Sequence, residues 1–575
     1  MNSLPSSFEL PIFYVEEKQR VDENIIEDLE LLNVNSINST DRDERKGLLE
    51  TIIQPKSKIA QERLNKLSEY YTSNKNFLKD TQKILGGWEV DENIESKQRQ
   101  YDNFYDLWKK IKNDENFIDR YYYVDIEYFK FLNHSPLFLQ ILSLYSLVSP
   151  ILSLVLPIIL LIVPFFMLKI NGIKLTIESY YKVLVNIFSK HALGNVFTIM
   201  SDISWEKRVY AVISVAFYFF SIYQNSLTCY RFYKNFASIH DDLFLLKDYL
   251  ETTIENINAI EKSCMKYASY GPFLQSIYPH KEHCIRLVER LNEITLLDLK
   301  NMTNKSKQIG YIMKHFYEFH INTDIESTIE FSLGLNAFVE HLHGLNELRR
   351  VKSINKCKFG KVTTMKNAYF PYLIHDETIK NDINLNKNIA ITGPNASGKT
   401  TTLKSTLFNL IFSQSFGYGF YSGATISLYD HIHCYLNIPD TSGRDSLFQA
   451  EARRCKEIIE SLEDGKKHFC IFDELFSGTN PNEACASSYG FIKFLIKQKN
   501  IDFILTTHLT ELCKKIDHLM VNNHMFVKET GDFNFEYTYK MIPGVSCVKG
   551  GLKVLSGLQY PQYILDEANE ALKKI

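Results

Sequence analysis

Ile389-Ala-Ile-Thr-Gly-Pro-Asn-Ala-Ser-Gly-Lys-Thr-Thr401 is an apolar run that opens at once into a complete phosphate-binding loop. The spacing of Gly393, Gly398, Lys399 and Thr400 is that of a loop leaving a buried strand and entering a helix. Backbone N–H groups along Gly393-Pro394-Asn395-Ala396-Ser397-Gly398 can cradle phosphate oxygens, and the positive end of the following helix favours the same anion. Lys399 is placed to reach the β/γ-phosphates, the Thr400 hydroxyl is a Mg²⁺ ligand, and Thr401 continues the first helical turn.

Beyond Lys352 short apolar runs alternate with helical patterns, which predicts an α/β unit around this loop. His468-Phe-Cys-Ile-Phe-Asp473-Glu474 reads as a strand ending in two acids. Asp473 suits Mg²⁺ held through water, and Glu474 suits polarising an attacking water. Phe503-Ile-Leu-Thr-Thr507 reads as a further strand with His508 at its tip, where it can sense a γ-phosphate, since ligands of such sheets bind outside the carboxyl ends of the strands.

The chain of 575 residues is long enough for several domains. Four regions are expected: 1–135 charged and helical, 136–231 hydrophobic, 232–351 helical, and 352–575 the nucleotide fold. Within the first, Asp22–Leu32, Lys58–Thr72 and Lys75–Leu85 are the candidate helices; Asp241–Glu261 and His280–Leu299 belong to the third. Pro136–Leu168 holds 33 residues without one charge, more than the roughly 20 that cross a ~30 Å hydrocarbon core. Val209–Tyr230 is a second uncharged run, weakened by Gln224 and Asn225. Two membrane helices are therefore expected, with burial inside a soluble domain as the alternative. The segment between them carries six Lys/Arg against three acids, contrary to the positive-inside tendency for a simple two-span hairpin. A net charge of −3 excludes a global basic pull onto nucleic acid, and ten scattered cysteines without a Cys-x-x-Cys pair give no zinc site. The first residues have no basic segment followed by an apolar core, so no cleavable signal is expected.

Around these motifs the C-terminal part resembles the ATPase domain of the MutS family of DNA mismatch-repair proteins. The resemblance rests on Tyr369-Phe-Pro-Tyr-Leu and Lys380–Leu385 before the loop, Ser442–Glu451 with its Ser446, Phe448 and Glu451, Asp473–Thr479, Thr507–Leu512, and Gly544–Gly550 followed by Tyr560-Pro561. It extends more faintly to Asp22–Leu29, Ser39-Thr40, Gly47–Leu49 and Ser332–Leu348, which are similar to the family's core helical domain. The resemblance implies ATP with Mg²⁺, hydrolysis, and two ATPase domains paired so that each completes the other's site. Ser446 would then touch the γ-phosphate bound by the partner, with Asn395 at the same interface; read alone, Ser446 is an ordinary helix N-cap. Thr378 and Ile379 stand where the family often places an aromatic that stacks on adenine. No segment here resembles the mismatch-recognition domain, and Phe316-Tyr-Glu318 reads as a chance likeness to the family's wedge.

The expectation is thus a dimeric, Mg-dependent ATPase with the ATPase domain facing the cytosol, membrane-associated through the uncharged runs, or soluble in cytoplasm or nucleus if those runs are core. DNA is one candidate partner. The alternative is a membrane-anchored ATPase that acts on protein or lipid without binding DNA. A transporter half of the ABC class is disfavoured, because Ser442–Glu451 stands where a Leu-Ser-Gly-Gly-Gln signature would be.

Overall fold

The computed structural model describes residues 7–32, 46–89, 91, 93–172, 174, 176–188, 205–294, 302–373, 378–438, 446–531, 534–546, 548, 550–574. Ser39-Thr40, Ser442–Asp445, Cys547, Lys549 and the linker positions Lys190 and Asp202 lie outside them. The chain forms two compact units: one of Ser7–Arg99, Glu255–Pro279 and Phe331–Ile575, the other built from Gln100–Ile254 and His280–Glu330.

The first unit is built on a six-stranded sheet in the order Asn534–Pro543, Val521–Gly531, Ile389–Thr392, Ile501–Thr506, His468–Asp473, His431–Tyr435. All pairs are parallel except the Val521–Gly531/Asn534–Pro543 hairpin at one edge. Central parallel strands are covered on both faces, so they read as unbroken apolar runs rather than alternating ones; Ile389–Thr392 is buried at every position. A second, five-stranded sheet contains Asn355–Gly360, Thr364–Ala368, Asn381–Asn384, Tyr418–Gly419 and Gly423–Ser427. Register places Thr506 beside both Asp473 and Ile391, which brings the acidic strand end and the root of the phosphate loop level with each other.

The N-terminal residues are part of this unit. Lys18–Arg20 pairs antiparallel with Tyr70–Thr72, and Phe8 packs edge-on against Phe331 and Phe273. Asp22 caps a short helix, Glu23–Asp28. The expected helix over Lys58–Thr72 breaks into Lys58–Glu62, a 3-10 turn at Leu64–Ser68 and the strand Tyr70–Thr72, while Lys75–Gly87 is helical as read. Gln82 in that last helix donates to the Gly417 carbonyl at 2.6 Å and the Cys357 carbonyl at 2.9 Å. Gly417 ends the phosphate-loop helix with φ +74°, and a Cβ there would lie 2.4 Å from Gln82 Cγ, so only glycine closes this contact.

The second unit is helical. Pro136–Ile170 is one continuous 35-residue helix through Pro150, Pro157 and Pro164, and Trp205–Cys264 runs for 60 residues. The two run antiparallel, with Cys229 reaching the Leu147 carbonyl at 3.5 Å and Asn225 donating to Ser153 Oγ at 2.5 Å. Phe316 is a fully buried ring against Phe117 and Tyr121, which removes Phe316-Tyr-Glu318 as a wedge.

The expectation of two membrane helices is corrected here. Among the described residues one helix segment, Pro136–Val155, is long and apolar enough to cross a bilayer, with mean hydropathy 1.9. The run Val209–Tyr230 is the start of the 60-residue helix, and its four tyrosines with Gln224 and Asn225 dilute its apolarity.

Candidate functional site

The loop between Ile389–Thr392 and helix Lys399–Phe416 takes the conformation its sequence requires. Gly398 has φ +95°, and a Cβ on it would stand 3.2 Å from Tyr539 Cδ1; one on Gly393 would stand 2.8 Å from Ser397 Oγ. Ala396 also sits left-handed at φ +61°, a conformation that a non-glycine residue holds only when its surroundings impose it. Successive N–H groups in such a turn form a concave anion site. Asn395, Ala396 and Thr401 are exposed on it, whereas Pro394 and Ser397 are buried. Ser397 Oγ is buried with no protein partner, a donor that a phosphate oxygen would satisfy.

Three side chains meet above the strand ends. Lys399 Nζ donates to the carbonyls of Gly393 at 3.1 Å and Pro394 at 3.3 Å, and lies 3.7 Å from Glu474 Oε1. His508 Nε2 is 2.7 Å from the same Glu474 oxygen and 3.2 Å from Lys399 Nζ. One ring nitrogen cannot both donate to the carboxylate and accept from the ammonium. The shorter contact puts the hydrogen on Nε2, pointing at Glu474. That hydrogen bond, ahead of the Lys399 charge, holds the Glu474 carboxyl below its usual range, whereas burial pushes the Lys399 ammonium below its own.

The metal-side pair is equally direct. Thr400 Oγ1 donates to Asp473 Oδ2 at 2.7 Å, and Thr506, which the sequence reading did not single out, donates to Asp473 Oδ1. A hydroxyl and a carboxylate oriented on each other by a third residue form an oxygen donor set fitting Mg²⁺. Glu474 follows with φ +54°, its N–H held by the Thr506 carbonyl and hydroxyl, both at 3.2 Å.

A cavity of about 560 Å³ opens from the loop and is walled by Tyr369, Phe370, Ile379 and Tyr539 together with Lys399, Thr400 and Glu474. The aromatic surface absent at Thr378 and Ile379 is therefore supplied from elsewhere. Tyr539 comes from the edge hairpin, tied in by Asn381 Nδ2 donating to its carbonyl at 3.0 Å. Sequence spacing carried no signal for it. A second cavity, about 400 Å³, lies on the other side of the loop between Pro394, Asn395, His508 and Gly550.

Ser446 is not among the residues lining either cavity. It is exposed at the N-cap of helix Leu447–Glu460 in a reciprocal capping box: Gln449 N donates to its hydroxyl at 3.4 Å, and its own N–H donates to Gln449 Oε1 at 3.0 Å.

Residues 389–575 match the family model for MutS domain V. The chain is 26% identical over 302 residues to the Endonuclease MutS2 of Clostridium novyi, covering 50% of this chain and 36% of that protein. It is 23% identical over 359 residues to the Endonuclease MutS2 of Lactococcus lactis subsp. cremoris, covering 59% and 43%. It is also 23% identical over 333 residues to the DNA mismatch repair protein MutS of Thermotoga petrophila, covering 57% and 40%. The chain thus spans less than half the length of each of these relatives.

Proposed function

The chain belongs to the MutS family, and from that premise we propose that it is a Mg-dependent ATPase that works as a dimer and acts on DNA. The observation that carries the chemistry is the convergence of Lys399, Glu474 and His508 beside the Thr400–Asp473 pair. Thr400 and Asp473 would hold Mg²⁺, which when bound neutralises charge on the β- and γ-phosphates. Lys399 leaves the Gly393 and Pro394 carbonyls to meet those phosphates. Glu474, ionised because His508 donates to it, accepts the proton of the attacking water. His508 keeps the carboxylate oriented and reports on the γ-position. Tyr539 and Phe370 provide the faces against which the base stacks. In the dimer, Ser446 and Asn395 meet across the partner's site.

The decisive experiment is Glu474→Gln in the purified chain. Turnover is expected to fall by about 10²-fold or more while ATP stays bound; turnover equal to the wild type sinks the assignment. The dependence of DNA binding on salt tests the partner, since phosphate-driven affinity must fall steeply as salt rises. No binding to duplex, branched or mismatched DNA at low salt refutes that part.

One observation favours a second reading, in which the ATPase is membrane-anchored and its partners are protein or lipid. The Ser153–Asn225 and Leu147–Cys229 contacts fix the register of the long helices. Of these helices Pro136–Ile170 holds the segment Pro136–Val155, which is long and apolar enough to cross a ~30 Å hydrocarbon core. Between the helices Tyr218 OH donates to the Ser153 carbonyl at 2.9 Å, whereas Ser221, Gln224 and Ser226 of the second helix are exposed. On Pro136–Ile170 the apolar side chains of Ile151, Ile158 and Phe166 are exposed. Retention in the pellet after alkaline extraction supports this reading; release into the soluble fraction refutes it.

A further inference from the structure

Glu451 lies on helix Leu447–Glu460, five residues past Ser446, and is 2% exposed. A buried carboxylate must be paired or hydrogen-bonded, and here its partners are in one loop. Oε1 accepts from Ser477 N at 3.0 Å and Ser477 Oγ at 2.8 Å, and Oε2 accepts from Gly478 N at 3.1 Å. That loop follows Glu474 directly. Two further contacts tie it to the same end of the helix. A Cβ on Gly478 would stand 2.7 Å from Phe448 N and 2.9 Å from Leu447 Cβ, so the backbone of the loop is seated on the first helical turn. The Phe448 and Phe476 rings pack at 5.6 Å.

Between this seat and the strand end, Glu474 and Phe476 both lie in the left-handed region, at φ +54° and +57°. L-residues remain there only when their surroundings over-determine them, and what holds this segment on one side is the Glu451 clamp. At the far end of the same helical turn the Ser446 hydroxyl is exposed, engaged among the described residues by a long 3.4 Å cap bond. An anion that takes this hydroxyl displaces the weak bond and shifts the first turn. Leu447, Phe448 and Glu451 move with that turn, and with them Ser477 and Gly478.

We infer that Glu451 is a positioning residue that couples the Ser446 end of its helix to Glu474 of the same protomer, so that engagement of the partner's nucleotide resets the carboxylate that activates water in the protomer's own site. The inference rests on the paired-site reading above. In the conformation seen here Glu474 accepts from His508 and is close to Lys399; a shift relayed through Gly478 and Ser477 moves it toward the attacking water with the His508 hydrogen bond kept. The two sites of the dimer are thereby made to fire only when both are assembled.

The test is steady-state ATP hydrolysis by the full chain for Glu451→Gln, Ser446→Ala and the double variant. A glutamine amide turns an N–H toward the loop's N–H donors and breaks the clamp with little change in volume. Glu451→Gln is expected to lower kcat about tenfold or more with KM for ATP within about twofold. In the Ser446→Ala background the same substitution is expected to cost less than about twofold, because the signal it relays is already gone. Gly478→Ala, which pushes the loop off the helical turn, should reproduce this pattern and carries the test if Glu451→Gln does not fold. An equal loss from Glu451→Gln in both backgrounds overturns the relay and leaves the paired site standing. Unchanged turnover in Ser446→Ala alone overturns the paired site itself.

Discussion

The helix that leaves the phosphate loop and the helix Pro136–Ile170 invert what hydropathy suggests. Lys399–Phe416 carries Thr402, Ser405, Thr406, Asn409, Ser413, Gln414 and Ser415, yet every one of these is buried. Pro136–Ile170 is almost wholly apolar, yet Ile151, Leu154, Ile158, Phe165 and Phe166 are exposed. The first is tolerated because its polar groups, Ser405 Oγ excepted, have partners. Asn409 bonds the Tyr369 carbonyl at 3.1 Å and the Phe420 N–H at 2.6 Å; Ser413 meets Tyr421 OH at 2.9 Å; Gln414 bonds the Thr72 carbonyl and both backbone groups of Tyr429. The second has no polar face to offer water. Burial in this molecule follows from who satisfies each group, and apolarity alone is a poor guide to it.

The comparison breaks most visibly at Gln414. Replacing it by leucine, which a hydropathy argument favours in a buried helix, strands three backbone groups at about 1–3 kcal/mol each. Gln414→Leu is expected to be among the most damaging single changes in the first unit, read as lost hydrogen-exchange protection along Lys399–Phe416 and lost nucleotide binding. Protection equal to the wild type would show that the partners of this helix are not what keeps it buried.

A smaller effect sharpens the other side. Ile158, 55% exposed, lies in the uncharged run Pro136–Leu168. In lipid, Ile158→Arg costs about 3 kcal/mol, which is ~10²-fold in partitioning toward the soluble fraction. In water the same substitution at an exposed position changes stability by about 0.5 kcal/mol or less. Fractionation of the variant beside the wild type therefore distinguishes the two solvents for this helix.

The parts legible in the sequence were those where chemistry fixes residue type and spacing locally. Gly393–Thr400, Asp473–Glu474 and His508 sit at strand ends, and the strands announce themselves as short apolar runs. Tyr539 was not legible, because it reaches the cavity from a hairpin far along the chain and through a left-handed backbone at φ +55° that no local pattern encodes. Gln82 and Gln414 look like surface residues on any propensity scale; their roles arise from carbonyls contributed by Cys357, Gly417, Thr72 and Tyr429. The second membrane span failed for a related reason: Val209–Tyr230 was read as a separate element, whereas it is one stretch of a much longer helix.

The smallest effect separates the two regions by acid. His433 is pushed down to about 3 by burial first and then by His468, His431 and Arg454, against the pull of Asp22. Its ring stacks with those of His431 and His468, and its Nε2 lies 3.1 Å from His468 Nδ1. Burial likewise pushes His341 down to about 4, with its Nε2 held by the Ala60 carbonyl at 2.8 Å. Both rings are neutral in the fold and take up protons near pH 6.5 when the chain unfolds. Their contribution is therefore complete above about pH 6.5 and is lost as pH falls toward the folded values. The first unit should lose thermal stability steadily between pH 6.5 and 4, and His433→Phe should flatten that slope by at most about 1.4 kcal/mol per pH unit. Pro136–Ile170 contains no histidine, aspartate or glutamate. Circular dichroism across the range should then show the strands of the nucleotide fold melting while this helix persists; simultaneous loss of both would overturn the separation by acid.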